Sequence, residues 1–179
     1  MQDAPPGAAR VTGRGGSVPR REPAVGLRTL RWLLLGGWFG SWALFAFAVA
    51  PIAFRVLPSG LEAGRLVSPL LRALHLYGLV AGTALFAIAI AQGERRMLAW
   101  TAAVLAALCA FTEFGITAAI GGMRPSTFGP ATPAGAAERF AHLHQASRVI
   151  FGVVLAGSAA LIAMYAREDV ARRDATKGR

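Results

Sequence analysis

Charged and apolar residues are segregated along this chain in a pattern that repeats four times. No charge occurs between Arg31 and Arg55, which leaves residues 32–54 as an unbroken run of 23. A second uncharged run, 73–93, lies between Arg72 and Glu94. The third, 97–123, is interrupted only by Glu113 and ends at Arg124-Pro125, and the fourth runs from Val149 to Ala166 directly out of Phe140-Ala141-His142-Leu143-His144-Gln145-Ala146-Ser147-Arg148. A helix needs about 20 residues to cross the hydrocarbon core of a bilayer. The pattern therefore predicts an all-α integral membrane four-helix bundle, with spans of about 32–54, 73–93, 97–123 and 144–166 inside a transmembrane domain of residues 27–167.

Local signals punctuate the runs. Pro51 has no amide proton for the Phe47 carbonyl and should bend the end of the first span. Ser59-Gly60-Leu61-Glu62 has the form of a capping box, so a helix should start there. Ser68-Pro69 reads either as the cap and first residue of the next segment or as a kink within one long helix. Thr132-Pro133 resembles a cap with a first-turn proline, which would start the last helix well before its apolar core. Gly36 with Gly40, and Gly78 with Gly82, have the four-residue spacing that lets membrane helices approach closely. Residues 1–26, rich in Pro, Gly, Ala and Arg, show no periodicity and are expected to form a disordered basic tail. Residues 168–179 are expected as a charged tail that continues the last helix out of the membrane.

Composition supports the membrane reading, with 55% hydrophobic residues, 16% charged residues and a mean hydropathy of +0.49. The net charge of +10 and pI near 11.6 would suit a nucleic-acid binder. Here the arginines gather instead at the ends of apolar runs, where they meet lipid headgroups, so no nucleic acid is expected as a partner. With four spans, 13 Lys and Arg residues fall on the side of the termini and 6 on the other. Positively charged loops stay in the cytoplasm, so both termini are expected there. Arg20-Arg21 is followed by Glu22-Pro23 rather than an apolar residue, and the run containing Ala48-Val49-Ala50 is longer than a signal peptide needs. An uncleaved first span is expected. The lone Cys109 allows no disulfide framework.

This topology brings several polar groups to one level. His75 opens the second span, Glu113 lies two thirds of the way along the third, and His142 and His144 open the fourth. An ionisable residue at membrane depth is expensive and marks a functional site by default. His75 shares a helix face with Gly78 and Gly82 and should point into the bundle. His142 and His144 are two residues apart and cannot share a face. His144, aligned with Arg148 and Phe151, is taken as the inward one. His75, Glu113, His144, Ser147 and Arg148 are thus the candidate ligand- or ion-binding residues. The alternative is purely structural, with Glu113 paired to Arg148 or His144. No HxxxH, HExxH, cysteine pair, nucleophile motif or phosphate-binding loop occurs, so no metal ligand set is legible and neither an enzyme nor a cofactor is expected. His75 and His144 as axial ligands of a haem form the redox alternative.

Two passages resemble a known family. Gly37-Trp38-Phe39-Gly40 and Val49-Ala50-Pro51-Ile52-Ala53-Phe54-Arg55-Val56-Leu57, followed by Glu62-Ala63-Gly64, resemble the first half of the transmembrane protein 205-like family. Phe140 to Ser147 is similar to that family's phenylalanine, histidine and serine signature at the last span. The resemblance covers roughly residues 30–166 and implies a four-span membrane protein of a family without an established enzymatic activity. By it, Pro51, Phe54, Arg55, Gly64, Arg124, His144 and Ser147 are the positions of interest.

Abundant Ala, Arg and Gly fit a high-GC bacterium, and hence the plasma (inner) membrane. The expected function is binding of a small ligand or ion, or a transport-accessory role, with the lipid bilayer as surroundings. A haem- or copper-binding redox protein is one alternative. An assembly or scaffold subunit, pairing with another membrane subunit or with itself through the glycine faces, is the other.

Overall fold

The computed structural model of the chain describes residues 22–121, 123 and 133–177. Arg124, Thr132 and residues 1–21 lie outside the described residues. All elements described are helical: α1 (Glu22–Leu44), a π-helical turn (Phe45–Val49), α2 (Ala50–Val56), α3 (Gly60–Ala91), α4 (Arg96–Phe111), a second π-turn (Thr112–Thr117), α5 (Ala118–Gly121) and α6 (Ala136–Lys177). They form four helical stretches, Val25–Val56, Gly60–Ala91, Arg96–Gly121 and Ala136–Ala175, each long and apolar enough to cross a membrane. The protein is a multi-pass, all-α membrane protein.

The short turns at 57–59 and 92–95 make α3 run antiparallel to the first span and α4 antiparallel to α3, and the Arg95–Glu168 pair at 3.1 Å sets the later part of α6 beside the 92–95 turn. α1 packs on α3 and α6, and α4 packs on the same two helices, so the four spans close a ring. One end, the near end, carries Glu22, the 92–95 turn and Lys177. The far end carries the 57–59 turn and the start of α6.

Several sequence signals are realised. The Ser59 hydroxyl accepts the Glu62 amide at 3.2 Å and caps α3. α3 continues through Pro69 without a break, so Ser68-Pro69 lies within one long helix and does not start a new one. Just ahead of Pro51 the first span widens into its π-turn, where the Ala50 amide bonds the Phe45 carbonyl five residues back. Proline removes a donor at this point, and the wider turn redistributes the remaining bonds.

Other expectations are corrected. Helix α1 begins at Glu22, inside the stretch read as an irregular tail. Pro23 lies in the first turn, where no intrahelical donor is needed, and the helix is anchored by contacts that Arg28 and Arg31 make across the bundle. The glycine pairs also diverge. A Cβ built on Gly82 would come within 2.8 Å of the Ala106 Cβ and 3.0 Å of the Ala102 carbonyl, and one on Gly78 within 2.7 Å of the Cys109 Sγ. These two glycines are where α3 and α4 touch. Gly36 and Gly40 meet nothing within 4 Å, and it is their neighbour Gly37 that faces the Tyr77 hydroxyl. The core around this seam holds Leu35, Trp38, Trp42, Leu85, Leu105, Val154 and Leu161.

Candidate functional site at the far end of the bundle

Glu113 sits in the π-turn of the third span. A π-turn inserts an extra residue into the helix and re-aims the side chains around it, which is one reason such turns recur at functional sites. Here the carboxylate is turned into the bundle and is 7% exposed. Its Oε1 forms an ion pair with the Arg72 Nε at 3.2 Å, and its Oε2 faces the His75 Nδ1 at 3.6 Å. Arg72 and His75 are three residues apart on α3, so one helix face supplies both partners.

The Arg72 side chain is largely exposed, whereas His75 is almost fully enclosed. The Trp42 ring meets the imidazole edge-on with centroids 5.5 Å apart, and Trp42 stacks on Phe151 of α6 at 4.5 Å, with Phe45 tilted against Phe151 at 5.7 Å. Residues from all four spans therefore wall the carboxylate and imidazole. Ser147, one turn before Phe151, is buried on the same side of α6, and the Thr112 hydroxyl donates to the Leu108 carbonyl at 2.9 Å.

Buried polar groups are ordinarily hydrogen-bonded. At this site both His75 ring nitrogens, the Glu113 Oε2 and the Trp42 indole nitrogen have no hydrogen-bond partner in the protein. The 3.6 Å between imidazole and carboxylate exceeds a good hydrogen bond. The arrangement presents an acceptor oxygen, an imidazole that can donate or accept, and an indole donor within one aromatic enclosure.

Of the five candidate residues, His75, Glu113 and Ser147 are buried at the far end, and the first two are in direct register. His144 and Arg148 are not brought in: both are exposed, and His144 stacks on Phe140 with ring centroids 5.9 Å apart. The inward face of α6 is set by the buried Ser147, Val154 and Leu161, and the rotation that buries them turns His144 outward. Glu113 consequently pairs with Arg72 rather than with Arg148 or His144, and His75 and His144 do not form an axial pair. Among the described residues no group of three His, Cys, Asp or Glu is placed to hold a metal ion. Of the positions implied by the resemblance, Pro51, Phe54 and Arg55 are exposed and Gly64 is half-buried.

A second polar cluster, at the near end, is absent from the sequence-based list. Arg31 is 2% exposed and pairs with Glu94 of the 92–95 turn and, at 3.0 Å, with Asp169 of α6. Its guanidinium lies over the Tyr165 ring at 4.5 Å. Asp169 also accepts Arg28 at 2.8 Å and the Trp32 indole at 3.2 Å. Arg72, Arg31 and Glu94 stand at the ends of apolar runs, where the charge pattern by itself marks them only as boundary charges. For Arg72 a signal was present in its three-residue spacing from His75.

Comparison with known proteins adds a family but no activity. No curated protein and no solved structure matches the chain. A family described as a domain of unknown function, DUF4149, matches residues 33–125, which contain Trp42, Arg72, His75 and Glu113. Because the match takes in more than half of the chain, and with it three of the four helices that wall the buried carboxylate, the protein belongs to the DUF4149 family.

Proposed function

We propose that this is a small-ligand or ion-binding membrane protein, or the accessory subunit of a transporter, whose site is the Glu113–His75–Arg72 cluster. One observation carries the reading. A carboxylate oxygen and both nitrogens of an imidazole are buried together without partners, in the half of the bundle away from the termini. Leaving such groups unsatisfied costs about 1–3 kcal/mol each, a cost that a bound small cation or hydrogen-bonding ligand removes. Arg72, exposed on its outer side, is the group a cationic ligand would displace from Glu113. The excess of Lys and Arg on the side of the termini supports cytoplasmic termini and a site facing outward from a bacterial plasma membrane. The resemblance of residues 37–64 and 140–147 to the transmembrane protein 205-like family supports the same four-span assignment.

The test is thermal unfolding of purified protein against a panel of monovalent and divalent cations and small amines, with wild type, Glu113→Gln and His75→Asn. Ligand-dependent stabilisation that both variants lose while remaining folded supports the site. Variants that merely unfold, with no ligand response in wild type, leave the cluster a structural ion pair. A haem absorption band in the purified sample would replace this reading with the redox alternative.

A second reading, a membrane assembly subunit, draws on Gly36 and Gly40. They meet nothing within the chain and share an outward face with the exposed Leu33, Leu44 and Phe47. Loss of a crosslinked dimer or complex in Gly36→Leu/Gly40→Leu would support it, and an unchanged monomer in wild type would remove it.

A further inference from the structure

At the near end, a cleft of about 430 Å³ lies between α1 and α6, lined by Arg28, Trp32, Asp169, Val170 and Arg173, among others. We infer that this cleft binds the phosphodiester headgroup of an anionic phospholipid. The inference does not depend on the far-end site.

The depth of the cleft is the first argument. Trp32 is the first residue of the apolar run 32–54 and Ala166, also in the lining, is the last of the run 149–166. The cleft therefore lies where hydrocarbon gives way to headgroups, the level that tryptophan side chains favour. Leu33, one turn after the lining residue Thr29 and 68% exposed, adds apolar surface on the bilayer side of the cleft for the first methylenes of acyl chains.

The second argument is charge. Asp169 is the one carboxylate in the lining, and its oxygens already accept Arg28, Arg31 and the Trp32 indole. A carboxylate surrounded by donors no longer repels an incoming anion. It fixes the Arg28 guanidinium through Nη2 alone, with the side chain 44% exposed toward the cleft. A guanidinium carries five N–H donors in a fork, and one contact leaves geometry for phosphate oxygens. Arg173, one turn beyond Asp169 on α6, brings a second guanidinium to the same lining. Basic pockets between helices at the headgroup level are the sites where anionic lipids lodge.

The experiment uses the full chain in mild detergent. Phosphatidylglycerol, phosphatidylcholine of the same acyl chains, and soluble glycerophosphoglycerol are titrated while thermal unfolding and native mass spectra are recorded. Phosphatidylglycerol should give a saturable rise in Tm of roughly 4 °C and one retained lipid, with phosphatidylcholine well below it. Arg28→Gln/Arg173→Gln should lose most of that shift relative to its own lipid-free baseline, and the far-end Arg55→Gln/Arg65→Gln should keep it. If the double variant does not fold, Arg173→Gln alone, which leaves the Arg28–Asp169 pair intact, should still retain less lipid. Equal shifts from both lipids, or undiminished lipid retention in the near-end variants, would overturn the inference. A full shift from glycerophosphoglycerol alone would overturn the lipid as the source and leave a soluble phosphodiester.

Discussion

Arg31 and Glu113 show how single charges behave inside this bundle. Arg31 compensates two carboxylates at once, Glu94 with a fully covered side chain and Asp169. Removing one member of a buried ion pair strands the remaining charge, at about 3–5 kcal/mol. Arg31→Ala should therefore lower stability by that amount, read as denaturant or thermal unfolding in detergent, with Arg31→Ala/Glu94→Gln recovering part of it. Glu113→Gln should cost less, because its partner Arg72 reaches solvent and is not stranded. Glycines divide by the same local criterion. Gly82→Ala forces a methyl against the Ala102 carbonyl and Ala106, and overpacking of this kind costs about 1–3 kcal/mol. Gly36→Ala, facing open space, should be neutral or slightly stabilising in the same assay. Spacing alone gave the two pairs equal standing, because it records which residues share a helix face and not which face meets a neighbour.

At the scale of elements, the two π-turns and the unbroken α3 decide where the polar groups go. Each π-turn lies toward the far end of its span, and between them they carry Phe45 and Glu113 to the site. The Phe45 turn has a visible origin in Pro51. The Thr112–Thr117 turn contains no proline, and no sequence signal announces it. Pro69 lies inside a continuous helix on an exposed face. Interior proline costs a helix about 3 kcal/mol relative to alanine, so Pro69→Ala should leave α3 intact and raise the unfolding temperature. A fall in stability would mean that Pro69 is needed to aim Arg72 and His75. The extension of α6 from Ala136 to Lys177 carries His144 and Asp169 on one helix, and the rotation that buries Tyr165 and Ser147 decides their different environments.

For the whole molecule, four antiparallel crossings put the start of α1, the 92–95 turn and the end of α6 on one side. Cys109 is fully buried, so it should resist thiol reagents in the folded protein and provide a silent background. On that background Ser59→Cys and Lys177→Cys should be labelled from opposite faces of sealed membranes, with Lys177→Cys accessible from the cytoplasm. Labelling of both from the same face would contradict the topology. The bundle thus has a polar cluster at each end and a mainly apolar waist between them, where Trp38, Leu85, Leu105 and Leu161 pack.

The number of spans and the sidedness of charge follow from the linear order of apolar and charged residues, although the helices run past the uncharged runs, α3 from Gly60 where the run begins at residue 73. Hydration cost acts on each residue wherever its neighbours in space are, and four long apolar runs admit one low-energy environment. The helix cap at Ser59 is equally local. Which histidine faces inward, which glycine pair closes a seam, and which arginine meets Glu113 depend on the rotation of each helix about its axis. That rotation is fixed by packing against three other helices at once, and by a π-turn that shifts the register of everything beyond it. His144 and Glu113 are each encoded in plain sight, but only the assembled bundle turns one outward and the other in.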